Sequence, residues 1–205
     1  MPLVPSSISP FPSSFSSMTS SSSPTAVSRL TVRDQTVGAD FSISDTITEL
    51  EFYNVRFLVY PAFPARISSL AFEDCRFTGE VRFHEGLQRL HLGFQPTIQM
   101  VLPSSLLALS IRKMQFPTFP ELPEGLQRLR LLRCNSPPPS AFPESLLGLA
   151  ILDCRWRRLP PFPSSLQGLV LDELELDTLP PIPLSVTQYH EGDVTVQDRP
   201  GNEGV

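Results

Sequence analysis

Two stretches twenty residues apart decide the fold: Leu126-Gln127-Arg128-Leu129-Arg130-Leu131 and Leu146-Leu147-Gly148-Leu149-Ala150-Ile151. Both read L-x-x-L-x-(L/I), and the pattern continues in both directions. Units open at Val27, Ile47, Ile67, Leu87, Leu106, Leu126, Leu146 and Leu166, in steps of 20 residues with a single step of 19 between Leu87 and Leu106. The fourth position is leucine in all eight units, from Leu30 to Leu169. The sixth is always apolar: Val32, Phe52, Phe72, Leu92, Ile111, Leu131, Ile151 and Leu171. A weak ninth unit opens at Val186 with Tyr189 in fourth place and then turns polar, as expected of a coil with no further neighbour to cover it.

Side chains alternate along a strand, so the fourth and sixth positions share one face. Identical strands from successive units then stack in parallel about 4.8 Å apart and bury one another's apolar rows. Twenty residues leave little room for a helix on the way back. Proline, at 23 residues against ten glycines, says what replaces it. Phe63-Pro64, Leu102-Pro103, Leu122-Pro123, Phe142-Pro143, Phe162-Pro163 and Ile182-Pro183 each precede a unit, with Ser44 and His84 in the proline's place in two units. A fixed φ and a missing N–H favour an extended, polyproline-II-like return path. The fold expected is mainly β: a right-handed solenoid with a parallel sheet on the concave face and extended prolyl segments on the convex face. Strings such as Ser136-Pro137-Pro138-Pro139 are better read as part of that path than as ligands for SH3 or WW domains.

The segment L-x-x-L-x-L-x-x-(N/C) resembles the leucine-rich-repeat signature over about residues 24–186. Leu159-Pro160-Pro161-Phe162-Pro163-Ser164-Ser165-Leu166-Gln167-Gly168-Leu169 looks like the proline-marked unit of bacterial LPX-type effectors. Leu90-His91-Leu92-Gly93-Phe94-Gln95 through Leu102-Pro103-Ser104-Ser105-Leu106 is also similar to FNIP repeats of protists and giant viruses. The resemblance implies a macromolecule-binding module. Some LPX-type effectors carry a C-terminal ubiquitin-ligase domain with a catalytic cysteine. Here 19 residues follow Val186 and contain no cysteine, so only the recognition part is expected.

Composition sets further bounds. The chain is 205 residues with 40% apolar content, enough to fold, and its net charge of −5 gives no global attraction to nucleic acid. Residues 1–23 are rich in Ser and Pro and read as a disordered tail, residues 24–196 as the solenoid, and 197–205 as a flexible tail. No apolar run reaches the 18 residues of a membrane span, and the first residues lack a signal peptide's basic and apolar regions. An intracellular, cytoplasmic setting is expected, with export as an effector as the other reading of the Ser/Pro-rich start.

Cys75, Cys134 and Cys154 share position nine of their units and read as buried, reduced ladder residues, with a disulfide between Cys134 and Cys154 on adjacent coils as the alternative. One column supplies no tetrahedral metal set, and nothing beside them lowers a thiol pKa. His84, His91 and His190 fall at different positions, so no nucleophile–base–orienter trio assembles. With no P-loop or GxGxxG either, no enzyme activity, metal or cofactor is expected.

Positions three, five, seven and eight should tile the concave face. Early coils place Glu49, Glu51, Glu73 and Asp74 there, and a late coil Asp172 and Glu173. Between them lies a basic band of Arg89, His91, Arg112, Lys113, Arg128, Arg130 and Arg133, beside apolar Leu132, Ala150, Leu152 and Val170. Arginine beside exposed apolar surface is the makeup of a protein-binding hot spot. The expected partner is an acidic protein or peptide, contacted by Arg89, His91, Arg112, Lys113, Arg128, Arg130, Leu132, Arg133 and Leu152. The alternatives are an effector acting in a host cell, an architectural repeat protein and a weak nucleic-acid binder. The last is disfavoured by the flanking acids and the lack of aromatic stacking platforms.

Overall fold

A computed structural model of the chain describes residues 28–77, 81–93, 100–113, 115 and 117–196. The tails expected at 1–23 and 197–205 lie outside these. The first three coils each carry a long and a short strand: β1 (Arg29–Arg33) with β2 (Thr36–Val37), β3 (Glu49–Tyr53) with β4 (Arg56–Phe57), and β5 (Ser69–Glu73) with β6 (Arg76–Phe77). Four coils follow with β7 (Arg89–Gly93), β8 (Ala108–Arg112), β9 (Arg128–Leu132) and β10 (Gly148–Leu152). The last two carry β11 (Gly168–Asp172) with β12 (Leu174–Leu176) and β13 (Gln188–Glu191) with β14 (Val194–Val196).

The long strands form one parallel sheet of nine, ordered β1-β3-β5-β7-β8-β9-β10-β11-β13. Register follows the repeat: Leu50 faces Leu70, Leu70 faces Leu90, Leu90 faces Leu109, and the sixth positions pair in step. The 19-residue unit is absorbed without a slip, because Leu92 still meets Ile111. Both inner columns are buried from the second unit to the eighth, each leucine contributing about 1.5–3 kcal/mol. In the first half the core is aromatic. Phe72 stacks on Phe52 at 5.3 Å and Phe77 on Phe57 at 4.7 Å, while Phe57 and Phe77 meet Phe72 edge-on.

The residue before each turn is chosen for its carbonyl. Pro64, Pro103, Pro123, Pro143, Pro163 and Pro183 each accept from the N–H of the opening residue three positions on. Only the C=O is used, so proline loses nothing there, and Ser44 and His84 serve equally well. Ser105, Ser145 and Ser165 then donate their hydroxyls to the opening carbonyl of the preceding coil, at Leu87, Leu126 and Leu146. That ladder satisfies acceptors at the sheet margin.

Two features depart from the sequence reading. The return path is not wholly extended coil: β2, β4 and β6 form a second small sheet, and β12 pairs with β14. Their inward residues Val37, Phe57 and Leu176 are buried, and Trp156 and Ser136 occupy the same column between them. Position eight is not part of the strand either. Asp34, Asn54, Asp74, Lys113, Arg133, Asp153 and Glu173 all have φ between 49° and 57°, the left-handed region. There the chain turns off the sheet, while each of these N–H groups from Asp34 to Asp153 still donates to the strand-ending carbonyl of the next coil.

Candidate functional site

The outer face of the nine-stranded sheet is built from positions three, five and seven of each unit. In-register stacking turns those positions into columns, so residues 20 or 40 apart in sequence become neighbours. Arg29 pairs with Glu49 at 2.7 Å, and Glu49 also reaches Arg89 at 2.5 Å across the intervening Ser69. Glu73 binds Arg112 at 2.7 Å and His91 at 2.9 Å. The reach from Glu73 to Arg112 crosses Gly93, the strand neighbour of Glu73. A Cβ at Gly93 would sit 1.9 Å from the Glu73 carboxylate, so glycine is what lets that side chain lie across the sheet.

The sequence-predicted band is therefore unevenly charged. Arg89 and Arg112 are neutralised by acids of the earlier coils, and His91 shares Glu73 with Arg112. Lys113 and Arg133 stand on the left-handed turn at the edge of the sheet rather than on its face, Lys113 3.9 Å from Asp74 and Arg133 2.7 Å from Asp153. That leaves Arg128 and Arg130. Both project from β9 on the outer face, two residues apart, and neither has an ion-pair or hydrogen-bond partner among the described residues. The Arg130 Nε is itself shielded from solvent and unbonded.

Leu132, Leu152 and Val170 are half-buried beside this pair, as an accessible apolar flank requires. Ala150 differs from expectation: it is fully buried although it sits on an outer column. Its register partners are Arg130 and Val170, and a methyl between two longer side chains at strand spacing is overhung by them.

A depression of about 280 Å³ opens on the same face, against Arg128 and Arg130. Between Arg128 and Arg130 on one side and Arg89 and His91 on the other its floor is Ala108 and Ser110, and beyond Arg89 and His91 it extends over Ser69 and Ala71. Sequence reasoning missed this floor. The signal was present as small residues at positions three and five of two coils flanking the unit of Arg89 and His91.

The cysteines occupy the column just inside the turn. Cys75 Sγ donates to the carbonyls of Phe52 and Glu73, at 3.5 and 3.4 Å, and burial pushes its thiol from 9.0 up to about 11. The Cys134 N–H donates to Cys154 Sγ at 3.4 Å. A hydrogen bond with the Cys134 side chain, followed by burial, raises Cys154 further. Such thiols are held protonated, the opposite of what nucleophilic chemistry needs. Among the described residues, no three His, Cys, Asp or Glu side chains converge to hold a metal ion. Nor is any helix long and apolar enough to cross a membrane.

No family model and no curated protein matches the sequence. Among solved structures the chain is similar to YopM from Yersinia enterocolitica WA-314, with a TM-score of 0.62 at 20% identity over 75% of this chain. The match covers 35% of the YopM chain, so this chain spans about a third of that structure's length. Together with the stacked parallel coils, this shows a solenoid with a leucine-rich-repeat fold.

Proposed function

We propose that the chain is a protein-interaction module whose outer sheet docks an acidic protein or peptide, with Arg128 and Arg130 at the centre of the contact and Leu132, Leu152 and Val170 as its apolar flank. The observation that carries this reading is that, among the described residues, those two guanidiniums are unpaired on a sheet where the neighbouring cations are paired. Charge left uncompensated on an open face steers an oppositely charged partner and fixes its register. Arg89, His91, Arg112, Lys113 and Arg133 form the rim, where paired and exposed charges contribute little affinity.

The reading is tested by panning a library of random peptides against the full chain and measuring the enriched pool on Arg128→Glu/Arg130→Glu. The expected pool is rich in Asp and Glu beside apolar residues, and the double reversal abolishes its binding. The control Arg155→Glu, an exposed residue past the turn that leaves the sheet, leaves it unchanged. A pool without acidic bias, or one indifferent to the double reversal, would overturn the reading.

A further inference from the structure

Resting on that docking reading, we infer that the depression beside Arg128 and Arg130 is an oxyanion socket that receives one anionic side chain of the docked partner, a phosphorylated serine or threonine or a carboxylate.

Three observations converge on it. First, none of the residues lining the depression is acidic, although the chain as a whole has 21 acidic and 16 basic residues. The nearby carboxylates of Glu49 and Glu73 are already engaged by Arg29, Arg89, Arg112 and His91. Second, the lining is rich in donors. Arg128 and Arg130 offer planar forks of N–H groups, and the Ser110 hydroxyl stands on the floor next to Arg130. The Arg130 Nε is out of water and without an acceptor, an unpaired buried donor that is costly and that a rotation of the guanidinium toward an incoming oxygen would satisfy. Third, the space is real: with Ala108 and Ser110 in the floor, the sheet leaves about 280 Å³ into which a side chain can enter.

Both candidate groups are oxyanions that accept charge-assisted hydrogen bonds from arginine. A phosphomonoester brings three acceptor oxygens and about two negative charges near neutral pH, against two oxygens and one charge for a carboxylate. The two arginine forks and the Ser110 hydroxyl beside them offer more donors than two oxygens can use, so the phosphorylated residue is the better fit.

The test follows the arginine Nε–Hε resonances of the full chain during titration with three peptides, acetyl-Ala-Ala-X-Ala-Ala-amide, in which X is phosphoserine, glutamate or alanine. The expected result is a saturable shift of Arg128 and Arg130 with the phosphoserine peptide, a smaller one with glutamate and none with alanine. Equal or tighter binding of the glutamate peptide assigns the socket to a carboxylate. Neither anionic peptide exceeding alanine overturns the socket.

Ala108→Leu separates this inference from the docking reading, since it fills the floor and leaves every charge in place. It should weaken both the phosphoserine peptide and the panned pool by about tenfold or more, the scale of one charge-assisted contact. Ser110→Val is the second such variant should Ala108→Leu disturb the fold. A pool that depends on Arg128 and Arg130 but is indifferent to both filled variants sinks the socket and leaves docking standing. A pool indifferent to the arginines sinks docking itself.

Discussion

Phe72→Ala tests whether the coils hold together through their nearest neighbours. Phe72 is fully buried in the third coil, stacked on Phe52 at 5.3 Å with its plane tilted by only 4°, and it meets Phe57 and Phe77 edge-on at 5.9 and 5.3 Å. Removing a buried phenyl ring costs about 3–5 kcal/mol in general. Each well-placed aromatic pair adds about 0.5–1.5 kcal/mol beyond its area, so the upper end applies here. In a solenoid that loss falls on one interface and its two neighbours rather than on the whole chain. The only tryptophan, Trp156, is buried four coils away and reports on the other half. Urea unfolding followed by circular dichroism should show an early phase from the first coils, while the Trp156 fluorescence midpoint stays nearly where it is in the parent chain. Equal displacement of both probes would refute the nearest-neighbour account. A total loss below about 1 kcal/mol would refute the packing argument.

Three further outcomes follow from local chemistry. Glu173→Gly relieves a left-handed backbone position, φ 51°, at an exposed site, and after glycine's own entropic cost should raise stability by about 0.5–1 kcal/mol in urea melts; a loss would contradict the strain argument. Ser136→Ala removes a buried hydroxyl with no partner and keeps the carbonyl that accepts from Trp156 Nε1, so a gain of about 1 kcal/mol is expected, and destabilisation would show the hydroxyl to be satisfied. The cysteines should resist thiol reagents at neutral pH until the chain unfolds. Because Cys75 is raised from 9.0 to about 11 on folding, the unfolded chain releases its proton first, and stability falls as pH rises from 9 toward 11, by about 3 kcal/mol for this group; a flat profile over that window would contradict it.

The repeat was legible because its information is local and redundant. Leu50, Leu70 and Leu90 declare the same buried column, and one error among them would not hide the period. Position eight was misassigned to the sheet, though four of its residues carry the answer. Asp34, Asn54, Asp74 and Asp153 are of the type that tolerates a left-handed backbone, whereas Lys113, Arg133 and Glu173 disguise the pattern. The short strands were hidden because two residues such as Arg56-Phe57 are too few to show alternation.

The candidate site was legible as composition but not as charge. Reading down the chain shows a cluster of cations. Reading across it, at intervals of 40, shows that Glu49 reaches Arg89 over Ser69, while Glu73 reaches Arg112 over Gly93. Whether an arginine is free therefore depends on how small its neighbour is one coil away. A linear reading assigns no meaning to that spacing until the register is known.

Site-directed photo-crosslinking tests the outer sheet as the docking surface most directly. With the native thiols buried, Val170→Cys on the outer face and Arg155→Cys past the turn that leaves the sheet can each be labelled selectively with benzophenone. Irradiation with the panned peptide pool should yield adducts from position 170 and none from position 155. Adducts from position 155 in equal or greater yield would place the partner elsewhere and contradict the account.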